Sequence, residues 1–252
     1  DFTIASGTTY TTGTNTTTFN GSGAQSFTVD LASALSLNNL TITKNAGDVL
    51  SMAGSQTAIN IAGNFNLTAG TLDDNGDIIT IAGNVYNSGV HTGTGKISLT
   101  TAAAVQTIDG GGTFQNLELN NTNAAAAPVS LLANITVNGV LNLQANKIFN
   151  IASYNLLLAS TASITTGTSF SNTCYIHSAG QFGDGGITKV YTANTPFTFP
   201  VGCFSTNRPA TYAYTPAEIG FSSSPSTYGS LTVVPVGYEY PATTVKNQSL
   251  TF

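Results

Sequence analysis

The sequence has few charged residues, and most of those it has are acidic. Only 7% of its 252 residues are charged, with 11 acidic and 6 basic side chains. Arg208 is the one arginine, and the formal net charge is −5. A nucleic-acid-binding protein needs a dense basic surface to displace phosphate counterions. The composition therefore excludes nucleic acid as a partner.

Long apolar runs are also missing. No stretch approaches the roughly 18 consecutive apolar residues that cross a bilayer, so we predict no membrane span. The chain starts at Asp1-Phe2 without a basic and apolar leader, and residues 247–252 resemble a strand cut midway. Either a leader has been removed or the chain is part of a longer protein. The strand-like end favours the second expectation.

Uncharged polar residues take the place of charge. Thr, Ser, Asn and Gly are abundant, and 41% of residues are hydrophobic. The hydrophobic residues are patterned rather than scattered, which excludes a disordered chain. Low charge with many Thr and Asn residues is typical of extracellular β-rich proteins.

A short phrase recurs at fixed spacing. IAGNF at residues 61–65 returns as IAGNV at residues 81–85. Apolar and polar residues alternate around both copies, which indicates half-buried strands. A period near 20 predicts an all-β fold, a right-handed parallel β-helix with about 19–20 residues per coil. Nine coils, each about 4.8 Å high, would make a rod roughly 40 Å long.

Longer echoes accompany this phrase. Residues 61–67 read again at 137–143, and residues 39–42 read again at 116–119, a step of 77. Residues 23–27 similarly resemble 104–108. We interpret the long step as four coils of about 19 residues, which places a larger module above the single coil.

The composition changes near residue 172. Seven of the eight prolines follow residue 195, and proline interrupts a β ladder. We therefore predict a parallel β-helix over residues 1–171 and a Pro/Tyr-rich β module or cap over 172–252, truncated at its C-terminal end. A cap would cover the unpaired backbone at a solenoid end.

The strings GSGAQSF, NNLTI and IAGNFNLTAG resemble the repeats of large secreted surface proteins of Bacteroidota. FPVG at residues 199–202, followed by Arg208-Pro209-Ala210, is similar to the segment that follows those repeats. The resemblance implies export by the type IX pathway, a cell-surface location and an adhesive or structural role. It also implies type IX secretion components, or surface glycans and proteins, as partners. The family's C-terminal sorting domain has no counterpart in this sequence.

One set of residues could carry chemistry. Asp73, His91 and Asp109 are evenly spaced along the chain, and each follows an apolar residue. Equal positions on successive coils would stack them into an acid–imidazole–acid ladder. A glycosidase or polysaccharide lyase with this fold needs carboxylates, or Lys and Arg with calcium, that project together from neighbouring coils. The simpler interpretation is that three polar residues occupy turns, and we favour it.

An acidic run and a cysteine pair complete the candidates. Asp73, Asp74 and Asp77 could offer oxygen ligands to calcium, although a solvated Asn-Gly turn explains the run better. Cys174 and Cys203 would suit a disulfide in an exported protein, and two free buried thiols are the alternative. No cofactor is expected. Asn64 and Asn84 are expected to stack as a structural ladder from coil to coil.

These observations favour a non-enzymatic structural or adhesive segment of a secreted cell-surface protein. The alternative is a carbohydrate-active β-helix enzyme that uses the Asp73, His91 and Asp109 ladder.

Overall fold

The computed structural model describes residues 1–204 and 212–237. These residues form an all-β solenoid of about nine turns, built on three sheets of ten, seven and ten strands, and each central coil adds one strand to each sheet. The prediction of a parallel β-solenoid is confirmed. The segment around Arg208 and the strand-like residues 247–252 lie outside the described residues.

Three sheets run along the solenoid, and the strands of each hydrogen-bond to one another in the following order. Sheet I contains β1 (Phe2–Ile4), β3 (Gln25–Val29), β6 (Val49–Ala53), β9 (Thr71–Asp73), β12 (Val90–Thr92), β15 (Thr113–Phe114), β18 (Ile135–Val137), β21 (Asn155–Leu158), β24 (Gly186–Val190) and β29 (Ser230–Val233). Sheet II contains β22 (Ser163–Thr166), β19 (Val140–Leu143), β16 (Leu117–Leu119), β13 (Lys96–Leu99), β10 (Ile78–Ile81), β7 (Ala58–Ile61) and β4 (Leu35–Leu37). Sheet III contains β2 (Thr16–Phe19), β5 (Asn39–Thr43), β8 (Phe65–Ala69), β11 (Val85–Asn87), β14 (Gln106–Asp109), β17 (Val129–Leu131), β20 (Phe149–Ala152), β23 (Ile176–Ser178), β26 (Val201–Phe204) and β27 (Tyr212–Tyr214). A separate pair joins β25 (Phe197–Phe199) to β28 (Ala217–Ile219).

Stacked aliphatic side chains fill the interior. In sheet II the in-register column Ile59, Ile79, Ile97, Leu117 and Leu141 is almost completely buried. Full burial stabilises each such side chain by about 1.5–3 kcal/mol. The period-two pattern of the sequence thus directs one apolar row per strand inward, and no coil can bury that row without its neighbours.

Corner asparagines tie successive coils together between residues 39 and 107. The side-chain oxygen of Asn39 accepts the backbone N–H of Asn64 at 2.8 Å, and that of Asn64 accepts the N–H of Asn84 at 2.8 Å. Asn84 accepts the N–H of Thr107 at 2.9 Å. The predicted asparagine ladder is confirmed, with backbone N–H groups as donors. A Cβ on Gly83 would overlap the Gly63 carbonyl, so the corner requires glycine.

Coil length varies, and this corrects the interpretation of the long echoes. Ile59 pairs with Ile79 and Ile79 with Ile97, whereas the coil that joins the paired residues Phe149 and Ile176 is much longer. The three echoes nevertheless all advance eleven strands, from β3 to β14, from β5 to β16 and from β8 to β19. Eleven strands are one strand short of four coils. The strand-and-corner unit is thus used on all three sheets.

Parallel pairing continues on both sides of residue 172. β24 pairs parallel with β21, and β26 pairs parallel with β23. The chain then reverses: β27, β28 and β29 pair antiparallel with β26, β25 and β24 respectively. Pro196, Pro200 and Pro216 each directly precede a strand, where a missing N–H does not interrupt the ladder. The last parallel coil is therefore covered by a reversed one.

Candidate functional site

The structure does not bring together Asp73, His91 and Asp109. In sheet I, His91 pairs with Leu72, and Asp73 pairs with Thr92. Asp73 and His91 therefore project to opposite faces, because side chains alternate along a strand. Asp109 lies in sheet III beside Tyr86. The hypothesis of a catalytic ladder is corrected accordingly: equal spacing in sequence does not give equal positions when coils differ in length.

His91 instead contacts Asp74, and this partnership was missed in the sequence. His91 Nε2 lies 2.8 Å from Asp74 Oδ2, and both side chains are fully buried. The backbone N–H of Gln115 donates to His91 Nδ1 at 3.3 Å. A ring nitrogen that accepts a hydrogen bond holds no proton, so Nε2 carries the proton and donates a hydrogen bond to the Asp74 carboxylate. The imidazole thereby links three successive coils.

The Asp74 carboxylate is enclosed by donors. Its Oδ1 accepts the backbone N–H groups of Gly76 and Gly95, each at 2.9 Å. Burial alone would raise the pKa of Asp74, but the hydrogen bonds from His91, Gly76 and Gly95 outweigh it and hold this pKa below its ordinary value. The carboxylate is sealed from solvent, so its chemistry is to fasten the corner between sheets I and II.

The acidic run forms a turn at this corner. Asn75 and Gly76 have φ values of 50° and 96°, as the central residues of a type I′ turn do. Asp73 Oδ1 accepts the N–H of Asn75 at 3.0 Å. Burial and the nearby Asp74 raise the pKa of Asp77 to about 6. Within residues 1–204 and 212–237, no group of three or more His, Cys, Asp and Glu side chains could hold a metal ion.

The two cysteines are free and buried. Cys203 pairs with Ser178 in sheet III. Cys174 precedes Ser178 by four residues in the chain. A disulfide needs Cα atoms within about 7 Å, and the two sulfur atoms are not bonded to each other. Burial raises the pKa of both thiols. The predicted disulfide is therefore not formed, and the two cysteines are separate buried residues.

Buried lysines bind carbonyl groups of neighbouring coils. Lys189 Nζ donates to the carbonyls of Ala159, Ser160 and Ala162 at 2.6–2.9 Å. Burial lowers the pKa of Lys189. Lys44 Nζ donates to the Gly21 carbonyl at 2.5 Å in the same way. These cations satisfy corner carbonyls that would otherwise be costly to bury.

A polar row lies on the outer face of sheet II. Ser98, Glu118 and Asn142 are in register on three successive strands. Glu118 Oε1 accepts the Ser98 hydroxyl at 2.8 Å, and Oε2 accepts Lys96 Nζ at 2.6 Å and Asn142 Nδ2 at 3.2 Å. Lys96 and Glu118 thus form an ion pair whose side chains are 33% and 11% exposed. Because the coils differ in length, the spacing of Lys96 and Glu118 in the sequence did not predict that the two side chains would pair.

Glu118 and Asn142 of this row, together with Lys96, form the floor of an open groove of about 420 Å³. Ile78 and Val140 form apolar parts of its wall, and Thr94 and Asn116 add polar groups. A volume between about 300 and 1,000 Å³ with a few convergent polar groups is characteristic of small-ligand sites. We call this site, lined by Ile78, Lys96, Glu118, Val140 and Asn142, the sheet II groove.

The chain matches no family model, no curated protein and no solved structure in the comparisons made. Across residues 1–204 and 212–237, no helix has the length and apolar character required to cross a membrane.

Proposed function

We propose that this chain is a structural and adhesive segment of a secreted cell-surface protein, exported by the type IX pathway, and not an enzyme. In this role the solenoid separates other parts of the protein and presents its long outer sheets to surface glycans or proteins. The resemblance of the repeats to Bacteroidota surface proteins motivates the location and the export route.

One observation supports the structural role most directly. His91, the imidazole of the candidate ladder, and the neighbouring carboxylate of Asp74 are used in bonds between coils. His91 and Asp74 are fully buried and link to the backbone of the next coil. Asn64 and Asn84 bind backbone N–H groups of the coils that follow them. Side chains committed in this way strengthen a rod but do not meet a substrate.

Surface labelling of intact cells tests the location. Antibodies raised against this segment should label non-permeabilised cells that produce the parent protein, and disruption of the type IX translocon should abolish the labelling. Labelling that requires permeabilised cells would overturn the surface role.

A carbohydrate-active β-helix enzyme is the competing hypothesis. It predicts release of new reducing ends or unsaturated uronates from neutral or acidic polysaccharides. We expect no release above that of the buffer. Cleavage that disappears in an Asp109→Asn or Glu118→Gln variant of unchanged thermal stability would establish the enzyme instead.

A further inference from the structure

The sheet II groove has a built floor. Glu118 is anchored by three donors, from Lys96, Ser98 and Asn142. These side chains are therefore already ordered in the free protein, and binding a ligand loses little further conformational entropy at this site. A carboxylate has about four acceptor positions and an ammonium has three donors. Both groups thus retain capacity to bind further hydroxyl groups.

The charge of the groove favours an uncharged ligand. Lys96 and Glu118 neutralise each other at 2.6 Å. A charged ligand would have to compete with this pair, whereas a hydroxyl group can donate to Glu118 and accept from Lys96 together. Mixed donor and acceptor groups without net charge are the complement of a polyhydroxylated ligand.

Apolar side chains flank the polar floor. Ile78 and Val140 are 36% and 38% exposed, and both line the groove. Aliphatic groups at these positions offer a surface to the C–H faces of a sugar ring, while the floor addresses its hydroxyl groups. The arrangement suits a ligand in which each ring has apolar C–H faces and polar hydroxyl groups at its edge.

The groove runs along the solenoid axis. Ile78, Lys96, Glu118 and Val140 belong to or adjoin four successive strands of sheet II, β10, β13, β16 and β19. Neighbouring strands are about 4.8 Å apart, which is close to the length of one pyranose ring. A chain of sugars lying along the axis would therefore meet each coil with one ring.

From these contacts we propose that the sheet II groove binds a neutral oligosaccharide, extended along the solenoid axis. The ion pair Lys96–Glu118 binds its hydroxyl groups, Asn142 holds Glu118 in place through its side-chain N–H, and Ile78 and Val140 contact its ring faces. This inference deepens the proposed function, on which it rests, because it names the ligand class of the adhesive surface.

The test is binding of defined hexasaccharides to the intact chain, followed by calorimetry and by amide shifts in NMR spectra. Cellohexaose, xylohexaose, mannohexaose and maltohexaose represent neutral ligands, and hexagalacturonate represents an acidic one. We expect at least one neutral hexasaccharide to bind, with an affinity independent of salt. The shifted amides should belong to β10, β13, β16 and β19.

Matched variants locate the site. Val140→Ser should weaken binding about tenfold. Val90→Ser should leave it unchanged, because Val90 is equally exposed at 39% but lies in sheet I. Glu118→Gln should also weaken binding, and its thermal unfolding shows whether the floor remains folded. If that variant unfolds, the valine pair still decides the question.

Three results would overturn the inference: no binding of any neutral hexasaccharide, equal effects of Val140→Ser and Val90→Ser, or a preference for hexagalacturonate that salt abolishes. Each leaves the surface role standing if intact cells are labelled. Absence of surface labelling together with groove-dependent binding would instead remove the adhesive role and keep the site.

Discussion

Two corners of the solenoid both join successive coils, but they do so with different side chains. The corner between sheets II and III uses Gly83 and the neutral amides of Asn64 and Asn84 to join coils. The corner between sheets I and II uses the buried carboxylate of Asp74 and the imidazole of His91. Both satisfy backbone N–H groups of the following coil. Only the second contains ionisable groups, so only the second should make the stability of the solenoid depend on pH.

The largest expected effect comes from removing the Asp74 carboxylate. Asp74→Ala leaves the donors of His91, Gly76 and Gly95 without their acceptor in the interior, which should cost about 4 kcal/mol of unfolding free energy. Urea denaturation followed by circular dichroism measures this. Asp73→Ala is the matched control, since its carboxylate bonds only the adjacent turn at Asn75, and it should cost below about 1 kcal/mol. Equal losses in both variants would refute the special role of this corner.

The glycine of the amide corner gives the next effect. Gly83→Ala should lower the unfolding free energy by about 3 kcal/mol, because the new Cβ overlaps the carbonyl of Gly63 in the coil before. Gly229→Ala is the control, with nothing within 4 Å of the added Cβ. The same denaturation experiment compares the two, and a Gly83→Ala variant as stable as Gly229→Ala would contradict the close stacking of corners.

A pH effect distinguishes the charged corner. Asp77 has its folded pKa raised to about 6 from 3.8, so folding favours its protonated form. Its contribution to stability is complete below the unfolded pKa and is lost as the pH rises through about 6. Asp77→Asn should therefore stabilise the protein by about 2 kcal/mol at neutral pH and should have little effect at pH 4. Asp74 acts oppositely: its lowered pKa supports the fold at neutral pH, and this support is lost in acid.

Thermal unfolding measured across this pH range checks the sign. The melting temperature of the wild-type protein should decrease as the pH rises from 4 to 6. The decrease should be smaller in Asp77→Asn. A variant that keeps the full fall would show that Asp77 is not responsible for it.

The smallest effect should follow from Asn64→Ala. This change removes one acceptor and leaves the N–H of Asn84 without its partner, at a cost of about 1 kcal/mol. Because the amides do not ionise, the loss should be the same at pH 4 and pH 7. A loss that changes with pH would erase the distinction between the two corners.

The repeat predicted much of the fold, and the physical reason is local. Alternation at Ile59, Ile61, Phe65 and Leu67 reports which side chains face the core, and it is independent of coil length. The IAGN phrase also predicted the asparagine ladder, because its glycine and asparagine lie in corners that stack on one another in successive coils.

The candidate site could not be predicted in the same way, because it depends on register between coils. A change of one residue moves a side chain to the other face of a strand, which is how Asp73 and His91 come to be separated. Asp74 lies in a corner, where alternation gives no information. Lys96 and Glu118 meet only because the length of their coil pairs Ile97 with Leu117, and neighbouring coils use other lengths.

The central claim is that polar side chains of the corners hold successive coils together. Amide hydrogen exchange at Asn84 tests it most directly, since this N–H is bonded to the side-chain oxygen of Asn64 at 2.8 Å. We predict slow exchange at Asn84 in the wild-type protein and much faster exchange at that amide in Asn64→Ala, while the amide of Ile79 in the core stays protected. Fast exchange at Asn84 in the wild-type protein, or equal exchange in both, would contradict the claim.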